Sequence, residues 1–200
     1  YYREQLIVLT MAFTGKAAFL VGGVKIHHAL NLPVNKYSGN LPELSADKVR
    51  NLILNYKHIK LIIIDEISMV GQKLMAQINS RLMQIFSNNQ SFGGISVLVV
   101  GDFRQIPPIE DKPLNKMNNV QSQFELGVKS VWNQFKFYEL TQIMRQKNEK
   151  YFIEALNYFG DGKVTHKDLA LFNSRIIQNV KEDVPENAIH FFLTTYLLTV

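Results

Sequence analysis

A short apolar run at residues 61–64 constrains the fold more than any other stretch of the sequence. It consists of one leucine and three isoleucines without polar alternation, which is typical of a central parallel strand covered on both faces. Apolar residues at helical spacing follow over residues 72–86, and a second apolar run occupies residues 95–100. Strand, helix and strand at this spacing predict a βαβ unit and therefore a parallel α/β sheet with helices on both faces.

Apolar periodicity and turn residues predict further elements on either side of this unit. Strands are predicted at residues 6–10, near residues 137–140 and from residue 189 onward. Helices are predicted after the turn at Thr14 and over residues 26–30, 45–56, 151–159 and 166–174, with residues 110–123 as a polar linker. We therefore expect one α/β domain and the beginning of a second.

The composition restricts the classes of function. Hydrophobic residues make up 46% of the 200 residues, enough for a buried core, and the net charge of +5 mildly favours a polyanionic partner. The sequence has no cysteine, which excludes disulfides and thiolate metal sites and fits a reducing, intracellular location. No apolar run approaches the roughly 18 residues of a membrane span, so we expect no membrane partner. Both ends run straight into strand-like stretches, so we expect a piece of a longer protein.

Both apolar runs end in acidic residues. Asp65 and Glu66 follow the first run, and Asp102 follows the second after one glycine. Ligands of open parallel sheets bind just beyond the carboxyl ends of the strands. A hydrophobic strand closed by two carboxylates is the Walker B pattern, in which one carboxylate holds Mg²⁺ and the next orients the attacking water. We assign Asp65 to the metal and Glu66 to the water, although solvated acids at a strand end explain this pair alone equally well.

Gln105 lies in the string Gly-Asp-Phe-Arg-Gln-Ile-Pro-Pro at residues 101–108. A neutral amide in this place donates a hydrogen bond to a γ-phosphate oxygen and loses that contact after hydrolysis, which makes Gln105 a candidate nucleotide sensor. Pro107 and Pro108 stiffen the exit from the loop, so that a small shift at Gln105 is transmitted rigidly. A glutamine in an ordinary polar loop is the alternative interpretation.

Three strings resemble motifs II, III and IV of the Pif-type (petite integration frequency) DNA helicases, in the RecD-like branch of helicase superfamily one. They lie in the same order as in that family, at residues 65–69, 101–108 and 140–146. Residues 12–18 resemble motif Ia, and residues 188–195 resemble the first strand of a second RecA-like domain. The resemblance covers nearly all of the chain and implies a RecA-like fold.

The resemblance implies an ATP-dependent DNA helicase that moves 5′ to 3′ and uses ATP and Mg²⁺. By motif match Arg145 reaches the γ-phosphate, so the implied nucleotide-binding and catalytic residues are Asp65, Glu66, Gln105 and Arg145. The implied partners are single-stranded DNA and DNA forks, on which the protein acts as a monomeric motor. The implied processes are DNA repair, recombination and telomere maintenance, in the nucleus or in mitochondria.

The implied first motor domain covers residues 1–145, and residues 146–200 correspond to a helical connection and the beginning of a second RecA-like domain. The phosphate-binding loop of this P-loop NTPase fold is missing from the sequence. The nearest match to GxxxxGK[ST], at residues 10–17, has threonine in place of the first glycine and alanine in place of the final Ser or Thr. We expect the loop to lie upstream of residue 1, and we expect this chain alone to hydrolyse ATP negligibly.

Contacts with single-stranded DNA are implied around motif Ia, although Phe13 stands where the family pattern has proline. Thr14, Lys16 and His27 are candidates for phosphate contacts, because phosphates accept hydrogen bonds from hydroxyl and cationic donors. Phe103 is a candidate for stacking on a base. A solvated lysine, a packed histidine and a core phenylalanine are the structural alternatives for Lys16, His27 and Phe103.

Two other functions stand against a working helicase. A different P-loop ATPase, such as a clamp loader or a chaperone, does not combine a motif III glutamine and proline pair with an arginine about 40 residues later. A non-catalytic remnant of a transposon-like helicase, or a DNA-binding module without turnover, is disfavoured because all four candidate nucleotide-site residues are intact.

Overall fold

The structure is a computed structural model that describes residues 7–34, 41–116, 123–142 and 149–176. The chain divides into two compact units, Tyr1–Tyr138 and Glu139–Val200. The predicted boundary between residues 145 and 146, and the assignment of residues 146–200 to a connection and a second RecA-like domain, stay predictions. Arg145 and the strand predicted from residue 189 lie outside the described residues.

A four-stranded parallel sheet forms the centre of the first unit. Its strands are β1 (Val8–Ala12), β2 (Val24–Lys25), β3 (Leu61–Asp65) and β4 (Ser96–Val99), in the order β2-β1-β3-β4. In the register of the central strand, Asp65 lies opposite Ala12 of β1, and Ile64 lies opposite Val99 of β4. The predicted parallel α/β fold is therefore confirmed, with the apolar run at residues 61–64 as a strand that is paired on both sides.

Five helices of the described residues belong to the first unit, and two belong to the second. In the first unit they are α1 (Gly15–Leu20), α2 (Ile26–Ala29), α3 (Ala46–Tyr56), α4 (Gln72–Phe86) and α5 (Gln123–Trp132). Short 3₁₀ turns at Ile67–Met69 and Ser91–Gly94 precede and follow α4. The helix α4 has the bounds that its apolar stripe predicts. No helix in the described parts of the chain is long and apolar enough to cross a bilayer.

One face of the sheet packs against α4. Ile62 and Ile64 of β3 are fully buried there, in one apolar cluster with Met75, Ile78 and Leu82 of the helix. The opposite face is less covered by the described residues, since Val8 and Leu98 are 39% and 50% exposed. The strand that ends in Asp65 therefore has one face that is closely packed and shielded from water.

The strand predicted near residues 137–140 is wrong. Phe137, Tyr138 and Leu140 are between 81% and 90% exposed, and no described strand runs beside them. Apolar and aromatic residues favour a strand only where a neighbouring strand supplies hydrogen bonds and packing. The preceding residues 123–132 form the helix α5, which the sequence pattern does not predict.

The second unit contains α6 (Lys150–Gly160) and α7 (His166–Asn173), which confirms the two helices predicted there. Thr165 and Asp168 form a capping box at the start of α7, because each side chain accepts a hydrogen bond from the other residue's backbone N–H. Phe172 of α7 packs edge-on against Phe159 of α6, with ring centres 5.8 Å apart. The two helices therefore form a packed pair.

A buried tyrosine ties α3 to α2. The Tyr56 hydroxyl donates a 2.7 Å hydrogen bond to the carbonyl oxygen of Ala29, and burial raises the pKa of this phenol above its ordinary value. Phenylalanine at position 56 would leave that buried carbonyl without its donor. The hydrogen bond therefore contributes to the stability of the whole first unit.

We predict that Tyr56→Phe lowers the free energy of unfolding by about 1–3 kcal/mol in urea at neutral pH. The folded state favours the protonated phenol, so its contribution is present below pH 10.0 and is lost as pH rises above it. Wild type should therefore lose stability in that range more steeply than Tyr56→Phe. Tyr138→Phe, at a tyrosine that is 81% exposed, is the control and should match wild type.

Candidate active site

The carboxyl ends of β1 and β3 lie at the point where the strand order of the sheet reverses. The chain leaves β1 toward β2 on one side and returns to β3 on the other. Open α/β sheets bind ligands in the crevice at such a switch point. Because Ala12 and Asp65 are neighbours across the two strands, the turn at Thr14 and the acidic pair share this edge.

The acidic pair has an unusual backbone. Asp65 is the last residue of β3, and Glu66 follows with φ 55° and ψ 48°, in the left-handed region. A glutamate in this region costs on the order of 1–3 kcal/mol, and such strain is concentrated at functional sites. The turn directs the chain sharply from the strand into the 3₁₀ segment Ile67–Met69. The strained residue is the one that the sequence assigns to the attacking water.

The carboxylates fit a magnesium ion that is shared with a nucleotide. Among the described residues, no ion pair or side-chain hydrogen bond occupies Asp65 or Glu66, and both are half-buried. The same residues contain no group of three or more acids or histidines that would form a complete metal cage. Mg²⁺ is ordinarily held by one or two carboxylates together with substrate phosphates and water. The neighbouring carboxylates of Asp65 and Glu66 meet that requirement.

The loops after β3 and β4 are joined to each other. The Ile67 N–H donates to the Val100 carbonyl at 3.0 Å, and the Val100 N–H donates to the Ile64 carbonyl at 2.9 Å. Gly101 has φ 153°, and a Cβ atom there would lie 2.8 Å from the Ile67 nitrogen. Only glycine allows the two backbones to approach so closely. The motif II and motif III loops therefore form one connected edge.

Asp102 organises the turn that carries Gln105. Its carboxylate accepts hydrogen bonds from the Arg104 backbone N–H at 2.9 Å and from the Arg104 guanidinium at 3.2 Å. Hydrogen bonds from Arg104, with a smaller contribution from the Gln105 side chain, hold the pKa of Asp102 below its ordinary value. The Gln105 N–H also donates to the Asp102 carbonyl at 2.9 Å. The candidate sensor therefore lies on a prestructured turn that Asp102 holds in place.

Phe103 packs inward from the same turn. Its ring meets Trp132, at the end of α5, edge-on with centres 5.9 Å apart, and Trp132 in turn contacts Phe135. This contact anchors the motif III loop on α5. Stacking of Phe103 on a base stays a prediction.

The motif Ia candidates have separate surroundings. Thr14 is the N-cap of α1 and accepts a 3.1 Å hydrogen bond from Ala17, while Lys16 is exposed. His27 is half-buried, with its ring edge-on to Phe13 at 5.8 Å. Burial, and then the nearby Lys25, lower the pKa of His27. Near neutral pH this side chain is therefore a neutral hydrogen-bond donor rather than a cation.

The structure brings Asp65, Glu66 and Gln105 to one edge of the sheet, through joined loops, as the sequence predicts. Their catalytic roles stay predictions. The role of Arg145 also stays a prediction, because this residue lies outside the described residues. The sequence analysis assigns no structural role to Asp102. Its position two residues before Arg104 is nevertheless typical of a side chain that accepts hydrogen bonds within its own turn.

Comparisons with known proteins point to one family of similar proteins. The sequence model of the PIF1-like helicase family matches residues 2–170. The ATP-dependent DNA helicase PIF1 of Candida albicans is 31% identical over 164 residues, which cover 78% of this chain and 18% of that protein. The chain thus spans about a fifth of the length of this relative.

Two solved helicase structures are similar to the chain. Pif1 from Bacteroides, in complex with ADP-AlF3 and single-stranded DNA, superposes with a TM-score of 0.59 at 29% identity and covers 86% of this chain and 41% of that one. A structure of two coordinating Pif1 helicases that unwind forked double-stranded DNA has a TM-score of 0.62 at 30% identity, covering 84% of this chain and 41% of that one.

We predict that the stability of the fold falls as pH drops from 7.5 to 5.5, in part through His27. A lowered pKa means that the folded state favours neutral imidazole, so this contribution is present above the ordinary value of 6.5 and is lost as pH falls through the folded-state pKa. His27→Gln should flatten the dependence of the urea midpoint on pH. His28→Gln, at an exposed neighbour, should keep the wild-type slope. Equal slopes in all three proteins would contradict the prediction.

Proposed function

The chain belongs to the PIF1-like helicase family, and from this premise we propose that it supplies the metal-binding, water-activating and sensing part of an ATP-dependent DNA helicase. One observation carries the proposal. The carboxylates of Asp65 and Glu66, which have no side-chain partner among the described residues, lie at the switch point of the sheet, on a loop that is bonded to the loop of Gln105. A different P-loop ATPase does not agree with the family match, and a non-catalytic remnant is the alternative that the first experiment tests.

Each side chain has a separate task in this proposal. Asp65 would hold Mg²⁺, which would supply positive charge beside the phosphates of ATP. Glu66 accepts a hydrogen bond from the attacking water, orients it and takes its proton. The strained backbone of Glu66 fixes the direction of this carboxylate before ATP arrives.

Gln105 gains and loses one partner in the proposed cycle. We propose that its side-chain amide donates to a γ-phosphate oxygen when ATP binds. That contact is lost when the γ-phosphate leaves after hydrolysis, so the motif III loop reports the state of the nucleotide. Arg145 is proposed as a second γ-phosphate contact, which stabilises charge in the transition state.

DNA binding and polarity are proposals as well. The similar solved proteins hold single-stranded or forked DNA, which supports single-stranded DNA as the partner of this chain. Lys16 is the exposed cation of the motif Ia turn and is proposed to contact a phosphate together with Thr14 and His27. Movement from 5′ to 3′ is proposed from the family resemblance. Action as a monomer is proposed from the same resemblance, although one similar structure is described as two coordinating helicases.

The proposed cellular setting follows the resemblance. We propose roles in DNA repair, recombination and telomere maintenance at an intracellular location. The nucleus is the first compartment to test, and the mitochondrion is the second.

The first experiment places the chain in a complete motor. In a chimera, this chain replaces the matched part of Bacteroides Pif1, and DNA-stimulated ATP hydrolysis is measured. We predict turnover that falls about 10²- to 10⁴-fold in Glu66→Gln, because the water loses its base. Glu43→Gln, at an exposed acid in the loop before α3, is the control and should hydrolyse ATP at the rate of the parent chimera. A folded chimera without turnover would favour the non-catalytic alternative.

The second experiment uses the 200-residue chain itself and a fluorescently labelled oligo-dT. We predict that Lys16→Ala weakens binding a few-fold and lowers the slope of log affinity against log salt by about 0.7, the value expected for one phosphate contact on a single strand. Lys57→Ala, at an exposed lysine after α3, should leave both quantities unchanged. An unchanged salt slope in Lys16→Ala would contradict the contact.

A further inference from the structure

The segment that follows the motif III loop is fastened to the start of α4. The Asp111 carboxylate accepts hydrogen bonds from the backbone N–H of Lys73, at 3.0 and 3.1 Å, and of Leu74, at 3.2 Å. It also accepts one from its neighbour Lys112 at 2.7 Å. The first N–H groups of a helix have no partner within the helix, so this remote carboxylate caps α4 and opposes its dipole.

The backbone reinforces the same junction. The Gln72 N–H donates to the Lys112 carbonyl at 2.9 Å, and the Gln72 side chain donates to the Pro113 carbonyl at 3.1 Å. Gly71 and Pro113 form an isolated antiparallel bridge. Gln72 is 3% exposed, so these bonds are shielded from water. Five hydrogen bonds to residues 111–113 therefore hold this segment on the first turn of α4.

Gly71 leaves room for the Asp111 side chain in this close contact. A Cβ atom at position 71 would lie 2.2 Å from the Asp111 carboxyl carbon. The backbone of Gly71, with φ −87° and ψ 178°, is extended and open to any residue. A side chain at position 71 would therefore have to displace the Asp111 side chain.

This junction gives the motif III loop a second attachment to the segment that follows Glu66. The first turn of α4 follows directly from Glu66 and the 3₁₀ turn, and Asp111 follows directly from the loop of Gln105. The loop is thus attached to the motif II segment at its beginning, through Gly101 and Ile67, and at its end, through Asp111. Between them, Pro107 and Pro108 restrict the backbone.

We propose that Asp111 is a positioning residue for Gln105, which it serves by fixing the far end of the motif III loop to the helix that follows Glu66. A loop held at both ends keeps the sensor and the water-orienting carboxylate in a fixed relation, and misplacement by about 1 Å can cost 10²-fold in rate. The effect on catalysis rests on the proposed function, whereas the mechanical link does not.

The mechanical link is tested by NMR hydrogen exchange on the 200-residue chain. Asp111→Ala should expose the Leu74 amide and also reduce protection of the Gln105 amide, whose hydrogen bond to Asp102 belongs to the turn. Gly71→Ala displaces the same carboxylate without changing its charge and should give the same result. Asp111→Asn keeps an acceptor oxygen and should restore part of the protection.

Asp168→Ala is the matched control. It removes an aspartate that caps a helix in the second unit through hydrogen bonds with Thr165, and should leave the Gln105 amide unchanged. Unchanged Gln105 protection in both Asp111→Ala and Gly71→Ala, with Leu74 exposed, would overturn the proposal.

The catalytic consequence is measured in the chimera. We expect Asp111→Ala to lower kcat for ATP about 10- to 100-fold with KM within a factor of about two, and Asp111→Asn to recover part of the rate. A chimera that is inactive before mutation contradicts the proposed function, and the exchange data still decide the link. An active chimera whose kcat does not change in Asp111→Ala overturns the positioning role.

Discussion

The pairing of β3 with a strand on each side determines where the candidate catalytic groups lie. Its register puts Asp65 beside Ala12 of β1 and Ile64 beside Val99 of β4, so three loops emerge at one edge of the sheet. Ile62 and Ile64 are fully buried on the face that α4 covers. A slip of one residue would turn these side chains to the other face and move the carboxylates with them. The apolar core therefore specifies the position of the chemistry.

Joined loops convert this shared edge into a connected site. The hydrogen bond from Ile67 to Val100 and the close approach at Gly101 link the loops where they begin. Asp111 links the motif III loop to α4 where the loop ends. A glutamate with a left-handed backbone is retained only where surrounding contacts hold that conformation in place. This network supplies such contacts around Glu66. The same bonds give a path by which a change at Gln105 reaches the helix after Glu66.

Local periodicity explains what the sequence predicts well. The β3 run and the α4 stripe are long or pure enough to specify their elements, and the parallel connection follows from them. Residues 137–140 have the composition of a strand but no neighbouring strand, so the prediction there is wrong. Whether a partner strand exists is a property of the tertiary structure and is not encoded in the local pattern.

The sequence predicts which residues form the candidate site, but it does not predict the contacts that hold them in place. Strand ends that carry Asp65, Glu66 and Gln105 are visible in the sequence because parallel strands share an edge. The contact between Asp111 and Leu74 joins residues 37 positions apart, and a sequence read as a polar linker contains no local signal for it. The left-handed backbone of Glu66 is hidden for the same reason, since tertiary contacts impose it.

We propose that Asp65 holds the metal while Glu66 and Gln105 face the γ-phosphate. The most direct measurement is anomalous scattering from Mn²⁺ in crystals of the chimera with ADP and aluminium fluoride. We expect one manganese peak next to the nucleotide and near Asp65, with the Gln105 amide donating to the fluoride group. A manganese ion held without Asp65, or a Gln105 amide that does not reach the fluoride group in that complex, would contradict this proposal.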